Sequence, residues 1–162
     1  MNQPTEFIGL LAYGIVLGLG AIGTALGTAA AAQSAAGCWE KEGRLDRPLK
    51  FTYLIFVSAP LTQTLYAFII MNALMSAGKL AELNGMQAFV MLGIAIGGGL
   101  AEWFSAWGQG KVGAAACRAL CNNDGKGFAF MIIAIGVVET VGLFAMVFLR
   151  LVVTNIVVAA PA

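Results

Sequence analysis

Residues 127–149 read GFAFMIIAIGVVETVGLFAMVFL, and Glu139 is the one charge in that run. About 20 apolar residues suffice for a helix to cross the hydrocarbon core of a bilayer. Glu139 has long uncharged flanks on both sides, so a transmembrane helix here sinks a carboxylate to mid-membrane. Even the lowest insertion scales put about 2.5–3.5 kcal/mol on a charge at a helix centre. A cation, a proton or a hydrogen-bond network has to neutralise it. Ion or proton handling is therefore the first expectation.

The rest of the chain fits a membrane setting. Of 162 residues, 60% are hydrophobic and only 10% charged, against about 25% charged in a soluble domain. Four stretches are long and apolar enough to span: roughly Phe7–Trp39, Phe51–Ala77, Leu83–Ala116 and Phe128–Val158. The expected fold is an all-α membrane protein, one membrane domain over residues 1–162, built as two helical hairpins at about 5–78 and 83–158. The first stretch lacks the positive leader of a signal peptide and outruns its apolar segment, so it reads as a retained helix. The long first and third stretches are expected to protrude or tilt. No ten-residue segments alternate with a period of two, which argues against barrel strands.

Several functions are disfavoured. A net charge of +1 without a basic cluster offers nothing to nucleic-acid phosphates. There is no His, no nucleotide-binding loop and no nucleophile paired with a base, so a soluble-type enzyme is not expected.

Basic residues set the expected orientation. Lys41, Arg44, Arg47 and Lys50 lie between the first two stretches, and Arg118 and Lys126 between the last two, whereas the middle loop has only Lys79. The positive-inside rule makes the first and third loops cytoplasmic and puts both termini outside. Cys38, Cys117 and Cys121 then fall near a reducing compartment, and they read as small packing residues rather than a disulfide framework or a metal site.

The chain also repeats itself. Helices one and three are rich in glycine, from Gly14 to Gly27 in one and Gly93 to Gly113 in the other, while helices two and four carry bulkier residues. Gln63-Thr64-x-x-Ala67-Phe68 aligns with Glu139-Thr140-x-x-Leu143-Phe144. Small residues let helix backbones approach in lipid. Glycines on several faces exceed what one helix contact requires, so a homo-oligomeric ring is expected, with helices one and three lining its inner wall. In this alignment Gln63 holds the place of Glu139, which leaves one carboxylate per four helices.

Other oxygen-bearing residues can converge on Glu139. Helix two carries Thr62 and Gln63, with Tyr66 one turn on, and helix three carries Gln109. Pro60 removes a backbone N–H and frees carbonyls nearby, Ala59 being a candidate. A carboxylate, two amide oxygens, a hydroxyl and a backbone carbonyl suit a small monovalent cation such as Na+. A proton needs only a carboxyl group, and it remains the alternative cargo. A divalent ion would leave charge unbalanced. These polar residues can also be read as plain interhelical hydrogen-bond partners.

Three segments now carry a resemblance. Pro60-Leu61-Thr62-Gln63-Thr64-Leu65-Tyr66, Gln109-Gly110-Lys111-Val112 and Val138-Glu139-Thr140 resemble, in order, the motifs of the membrane-rotor proteolipid (c or K subunit) of V-type ATPases, most closely its bacterial sodium-translocating branch. The resemblance implies Na+ coordination by Thr62, Gln63, Gln109, Glu139 and the Ala59 carbonyl, with Tyr66 donating a hydrogen bond to Glu139. It also implies a ring of copies in a bacterial inner membrane and a static membrane subunit that supplies an Arg. Central-stalk subunits would dock at the cytoplasmic loops Glu40–Lys50 and Arg118–Lys126. The departures are Leu61 in place of Gly, Ala59 in place of Leu, and Gly142 where a bulkier residue is common.

Glu102 and Arg150 share helical faces with Gln109 and Glu139, outward of the site. Cβ directions on antiparallel helices aim them at each other, so a Glu102–Arg150 pair is expected to seal the outer part of the ring. Competing readings of the whole chain are a small four-helix exchanger using a membrane Glu and a purely structural proteolipid oligomer.

Overall fold

A computed structural model describes residues 3–77 and 83–157. Lys79 of the middle loop and the expected end of the fourth stretch at Val158 lie outside the described residues. The chain forms helices α1 (Gln3–Arg44), α2 (Tyr53–Ser58), α3 (Leu61–Ser76), α4 (Gly85–Asn122) and α5 (Phe128–Val152), closed by a π-helical turn over Val153–Val157. Four helical segments are long and apolar enough to cross a membrane: Pro4–Arg44, Tyr53–Ser76, Gly85–Asn122 and Phe128–Asn155. The protein is thus an all-α, multi-pass membrane protein.

α1 has 42 residues and α4 has 38. At about 1.5 Å per residue they reach roughly 55–65 Å, about twice a hydrocarbon core of ~30 Å. Their excess length forms a shared projection at the end that holds the first and third loops. There Lys41 Nζ donates to Asn122 Oδ1 at 2.7 Å, Arg47 pairs with Asp124 at 2.9 Å, and Ser34 Oγ donates to the Ala114 carbonyl at 2.7 Å. The third loop turns through Asp124, Gly125 and Gly127, all at positive φ, a region where glycine carries no Cβ penalty.

A buried clamp fixes the first loop at its start. Glu42, 2% exposed, accepts from the Tyr53 hydroxyl at 2.5 Å and from the Lys50 backbone N–H at 3.1 Å. Lys50 Nζ lies 3.3 Å from the same carboxylate, and Trp39 Nε1 donates to the Lys50 carbonyl at 2.9 Å. Neighbouring Cys38, Cys117 and Cys121 are free and buried, packed in one cluster.

The tightest helix pair is α1 against α4. A Cβ on Gly27 would meet the Ala106 carbonyl, one on Gly110 would strike the Gly27 backbone, and one on Gly23 would strike the Trp103 backbone. Only glycine permits such backbone contact, and close approach increases dispersion where no hydrophobic effect separates helix from lipid. The glycines divide into two sets. Gly14, Gly18, Gly93 and Gly97 have open space where a Cβ would stand, so they face away from the chain's own interior. The remaining helices pack alongside: α3 meets α1, α4 and α5, and α5 meets α4.

Pro60 divides the second span. It has no N–H for the Phe56 carbonyl four residues back, and α2 ends at Ser58 before α3 resumes at Leu61. α1 secures the break: Thr24 Oγ1 donates to the Pro60 carbonyl at 2.9 Å, and Thr64 Oγ1 donates to Thr24 Oγ1 at 2.8 Å. The interruption places Thr62, Gln63 and Tyr66 on the first turns of a new helix.

Candidate functional site

The expected site residues form three local groups in the middle of the bundle. Tyr66 on α3 donates its hydroxyl to Glu139 Oε1 on α5 at 3.1 Å. Gln63 Nε2 on α3 donates to Gln109 Oε1 on α4 at 3.2 Å. Thr62 Oγ1 donates to the Ala59 carbonyl at 3.1 Å, so the carbonyl next to the proline break carries a hydroxyl beside it. Ser105 Oγ on α4 donates to the Val138 carbonyl at 3.0 Å, which ties α4 to the turn of α5 that bears Glu139.

Burial separates these groups into two layers. Gln63 and Gln109 are both 0% exposed. Glu139, Tyr66 and Thr62 are only half-buried within the single chain. The layering follows from helical geometry: Gln63 turns towards α4, while Thr62 and Tyr66, four residues apart, share the neighbouring face. Gln63 and Glu139 are therefore unlike in position although they align in the repeat. One is an interior amide, and the other is a carboxylate on the partly open side.

Glu102 occupies a place the sequence did not reveal. It is 0% exposed and lies in the centre of the bundle, not in an outer seal. A Cβ on Gly142 would collide with both Gln63 Oε1 and Glu102 Oε2, and one on Gly20 would stand 3.7 Å from the Glu102 Cβ. The carboxylate thus fills room left by the missing side chain of Gly142 on α5, while Gly20 on α1 makes room for the Ala67 methyl. A residue larger than glycine at 142 has no space beside Gln63 and Glu102. The expected Glu102–Arg150 pair is not formed. Arg150 is exposed and borders a cavity with Ile69, Asn72 and Thr154, and a fully enclosed Glu102 cannot reach an Arg on a neighbouring copy either. Counting residues along each helix gave a shared face, but the identity of the facing helix decided the partner.

Among the described residues, five buried side-chain N or O atoms have no hydrogen-bond partner, and four belong to this cluster: Gln63 Oε1, both Glu102 oxygens and Gln109 Nε2. Leaving a buried carboxylate uncompensated costs several kcal/mol. No group of three His, Cys, Asp or Glu residues is present among the described residues, so the oxygens on offer are those of amides, hydroxyls and lone carboxylates. That donor set suits hard monovalent ions better than transition metals.

Residues 92–152 match the family of the C subunit of ATP synthase. The matched stretch contains Glu102, Gln109, Glu139 and Gly142 and covers most of the second hairpin, which is thus similar to a c-type proteolipid. No curated protein matches the chain.

Proposed function

We propose that this chain is the ion-carrying rotor subunit of a rotary ATPase of the V type, that copies of it form a ring, and that its cargo is Na+. The observation that carries this reading is the Tyr66–Glu139 hydrogen bond beside the interior Gln63–Gln109 pair. A half-buried carboxylate on an apolar helix is held in one orientation, with amide, hydroxyl and carbonyl oxygens on the facing helices. The family match over the second hairpin supports the rotor role. Gly14, Gly18, Gly93 and Gly97, open on the outside of α1 and α4, suit close packing of one copy on the next. The exposed Leu65, Phe68, Val141, Phe144 and Phe148 of α3 and α5 suit contact with lipid.

In this mechanism Glu139, Thr62, Gln63, Gln109 and the Ala59 carbonyl surround the ion, and Tyr66 orients the carboxylate. Loading makes the site electrically neutral, so it can face lipid, whereas an empty carboxylate cannot. ATP hydrolysis elsewhere turns the ring past a static membrane subunit, whose Arg displaces the ion into an exit path. Moving one charge against 100 mV takes about 2.3 kcal/mol, so a single carrier carboxylate per four helices concentrates the energy of each ATP on fewer ions. Both termini lie outside a bacterial inner membrane, with the stalk at the first and third loops.

A proton cargo has one observation on its side. Thr62 already donates to Ala59, and Gln63 donates to Gln109, so part of the oxygen set is engaged without an ion. Carbodiimide labelling separates the two cargoes, because the reagent attacks a protonated carboxyl. With Na+ as cargo, added Na+ at constant pH protects Glu139 from modification, read by peptide mass mapping. Labelling that ignores Na+ overturns the Na+ assignment and leaves the proton.

A further inference from the structure

The outer faces of α3 and α5 are largely apolar, with Leu65, Phe68 and Met75 exposed on one and Val141, Phe144, Phe148 and Leu151 on the other. A polar group interrupts them. Asn72, Ser76, Arg150 and Thr154 are also exposed, and together they line a cavity of about 270 Å³ between the two helices. Polar groups on a membrane-facing surface need either partners or a position at the headgroups. Depth decides for the headgroups. Arg150 stands eleven residues beyond Glu139 on α5, and Ser76 ten beyond Tyr66 on α3. At about 1.5 Å per residue, each lies roughly 15–16 Å along its helix from the Tyr66–Glu139 bond. With Glu139 at mid-membrane, that distance is half of a ~30 Å hydrocarbon core.

The cavity has the chemistry of an anion site. Arg150 brings the charge, and no acidic residue lines the space with it. The ion pairs of the described residues use Arg44, Arg47 and Lys50, all at the other end of the bundle. A guanidinium with an amide beside it offers N–H donors in the geometry that phosphate oxygens accept. The hydroxyls act differently. Ser76 Oγ already donates to the Asn72 carbonyl at 2.8 Å, and Thr154 Oγ1 to the Arg150 carbonyl at 2.8 Å. Their oxygens are left as acceptors, which suits a headgroup that carries O–H donors of its own.

We propose that this cavity binds an anionic phospholipid, its phosphodiester on Arg150 and Asn72 and its polyol headgroup on Ser76 and Thr154. One phosphodiester carries one negative charge, which one guanidinium balances. A headgroup ammonium would stand beside the guanidinium without a carboxylate to hold it, so zwitterionic lipids are disfavoured. The acyl chains continue towards the membrane centre over the apolar outer faces of α3 and α5. The bound lipid joins the two helices at the end of the bundle away from the first and third loops. The site lies apart from Glu139 and does not depend on which ion that residue carries. It does rest on the exposure of α3 and α5 to lipid in the function proposed above.

Lipid retention tests the proposal. The full-length chain, purified in mild detergent, is incubated with phosphatidylglycerol or with phosphatidylcholine of the same acyl chains, and bound lipid per chain is read by native mass spectrometry. The parent is expected to retain one phosphatidylglycerol per chain and to hold phosphatidylcholine more weakly. Arg150→Gln is expected to weaken phosphatidylglycerol retention roughly 10-fold or more, the usual effect of losing a hydrogen bond to a charged group. Arg150→Lys is expected to restore part of it. Excess inorganic phosphate is expected to leave the lipid in place. Equal retention by Arg150→Gln and the parent overturns the proposal, and so does equal retention of the two lipids by the parent. Displacement of the lipid by inorganic phosphate assigns the cavity to free phosphate and overturns the lipid reading. Asn72→Leu, on the other helix, decides the matter even if Arg150→Gln fails to fold: weakened retention supports the site, and unchanged retention counts against it. Retention is measured without Na+ or ATP, so a failed cargo assignment leaves this result standing.

Discussion

The Tyr66 hydroxyl reaches across from α3 to donate to Glu139 Oε1 on α5 at 3.1 Å, and this bond orients the one charge in the run from Gly127 to Leu149. It holds the carboxylate on the partly open side of the bundle while Gln63, three residues before Tyr66, turns inward to Gln109. One helix, resumed after a proline, thus reaches both Glu139 and the interior polar cluster.

Removal of that bond should weaken Na+ retention without unfolding the chain. A hydrogen bond to a charged group contributes about 1.5–3 kcal/mol, or roughly 10-fold or more in affinity. Tyr66→Phe is expected to need at least that much more Na+ for half-protection of Glu139 against carbodiimide. Unchanged protection would show that Tyr66 does not position the carboxylate.

Gly142 and Glu102 should depend on each other. Gly142→Ala places a methyl on Gln63 Oε1 and Glu102 Oε2, and overpacking of this kind costs about 1–3 kcal/mol. Adding Glu102→Ala makes room again, so the double variant should be less affected by Gly142→Ala than the parent is. Thermal unfolding of the four proteins in a mutant cycle measures the coupling. Additive effects would place the two residues out of contact.

Gln63→Glu should be severely destabilising. It brings a second carboxylate into a dry interior opposite Glu102, and an uncompensated buried charge costs about 3–5 kcal/mol. Combination with Glu102→Gln should restore much of the lost stability, read as folded yield in detergent. Position 63 is thereby closed to a second carrier carboxylate as long as Glu102 is present.

The two sets of glycines should respond differently. Gly110→Ala drives a Cβ into the Gly27 backbone, so it is expected to lower the stability of the isolated chain by about 1–3 kcal/mol. Gly14→Ala meets nothing in its own chain. It should leave the melting temperature of the single chain unchanged but reduce the fraction of ring that survives electrophoresis in mild detergent. A ring equally resistant with Gly14→Ala would move the interface between copies to another face.

At the end that holds the first and third loops, Tyr53→Phe removes the 2.5 Å bond to Glu42 and leaves a nearly enclosed carboxylate with the Lys50 contacts alone. A loss of about 1–3 kcal/mol is expected, visible as earlier protease cutting in the loop after Arg44. Resistance equal to the parent would show that Lys50 is sufficient.

The apolar lengths of the four stretches determined the spans, because a bilayer core of fixed thickness demands a minimum run of apolar residues whatever the neighbours are. The isolation of Glu139 in its run, and the types and spacings of Thr62, Gln63, Tyr66 and Gln109, made them candidates on the same ground. Only the tertiary structure decided which polar groups lie inside. Periodicity fixes the angle of a side chain about its own helix, not the helix it will meet, so Glu102 could be given an outer partner from the sequence although it sits among Gly20, Gln63 and Gly142. The glycines show the same division: composition announced close packing, but the contact of Gly27 with Gly110 and the openness of Gly14 depend on how α1 lies against α4.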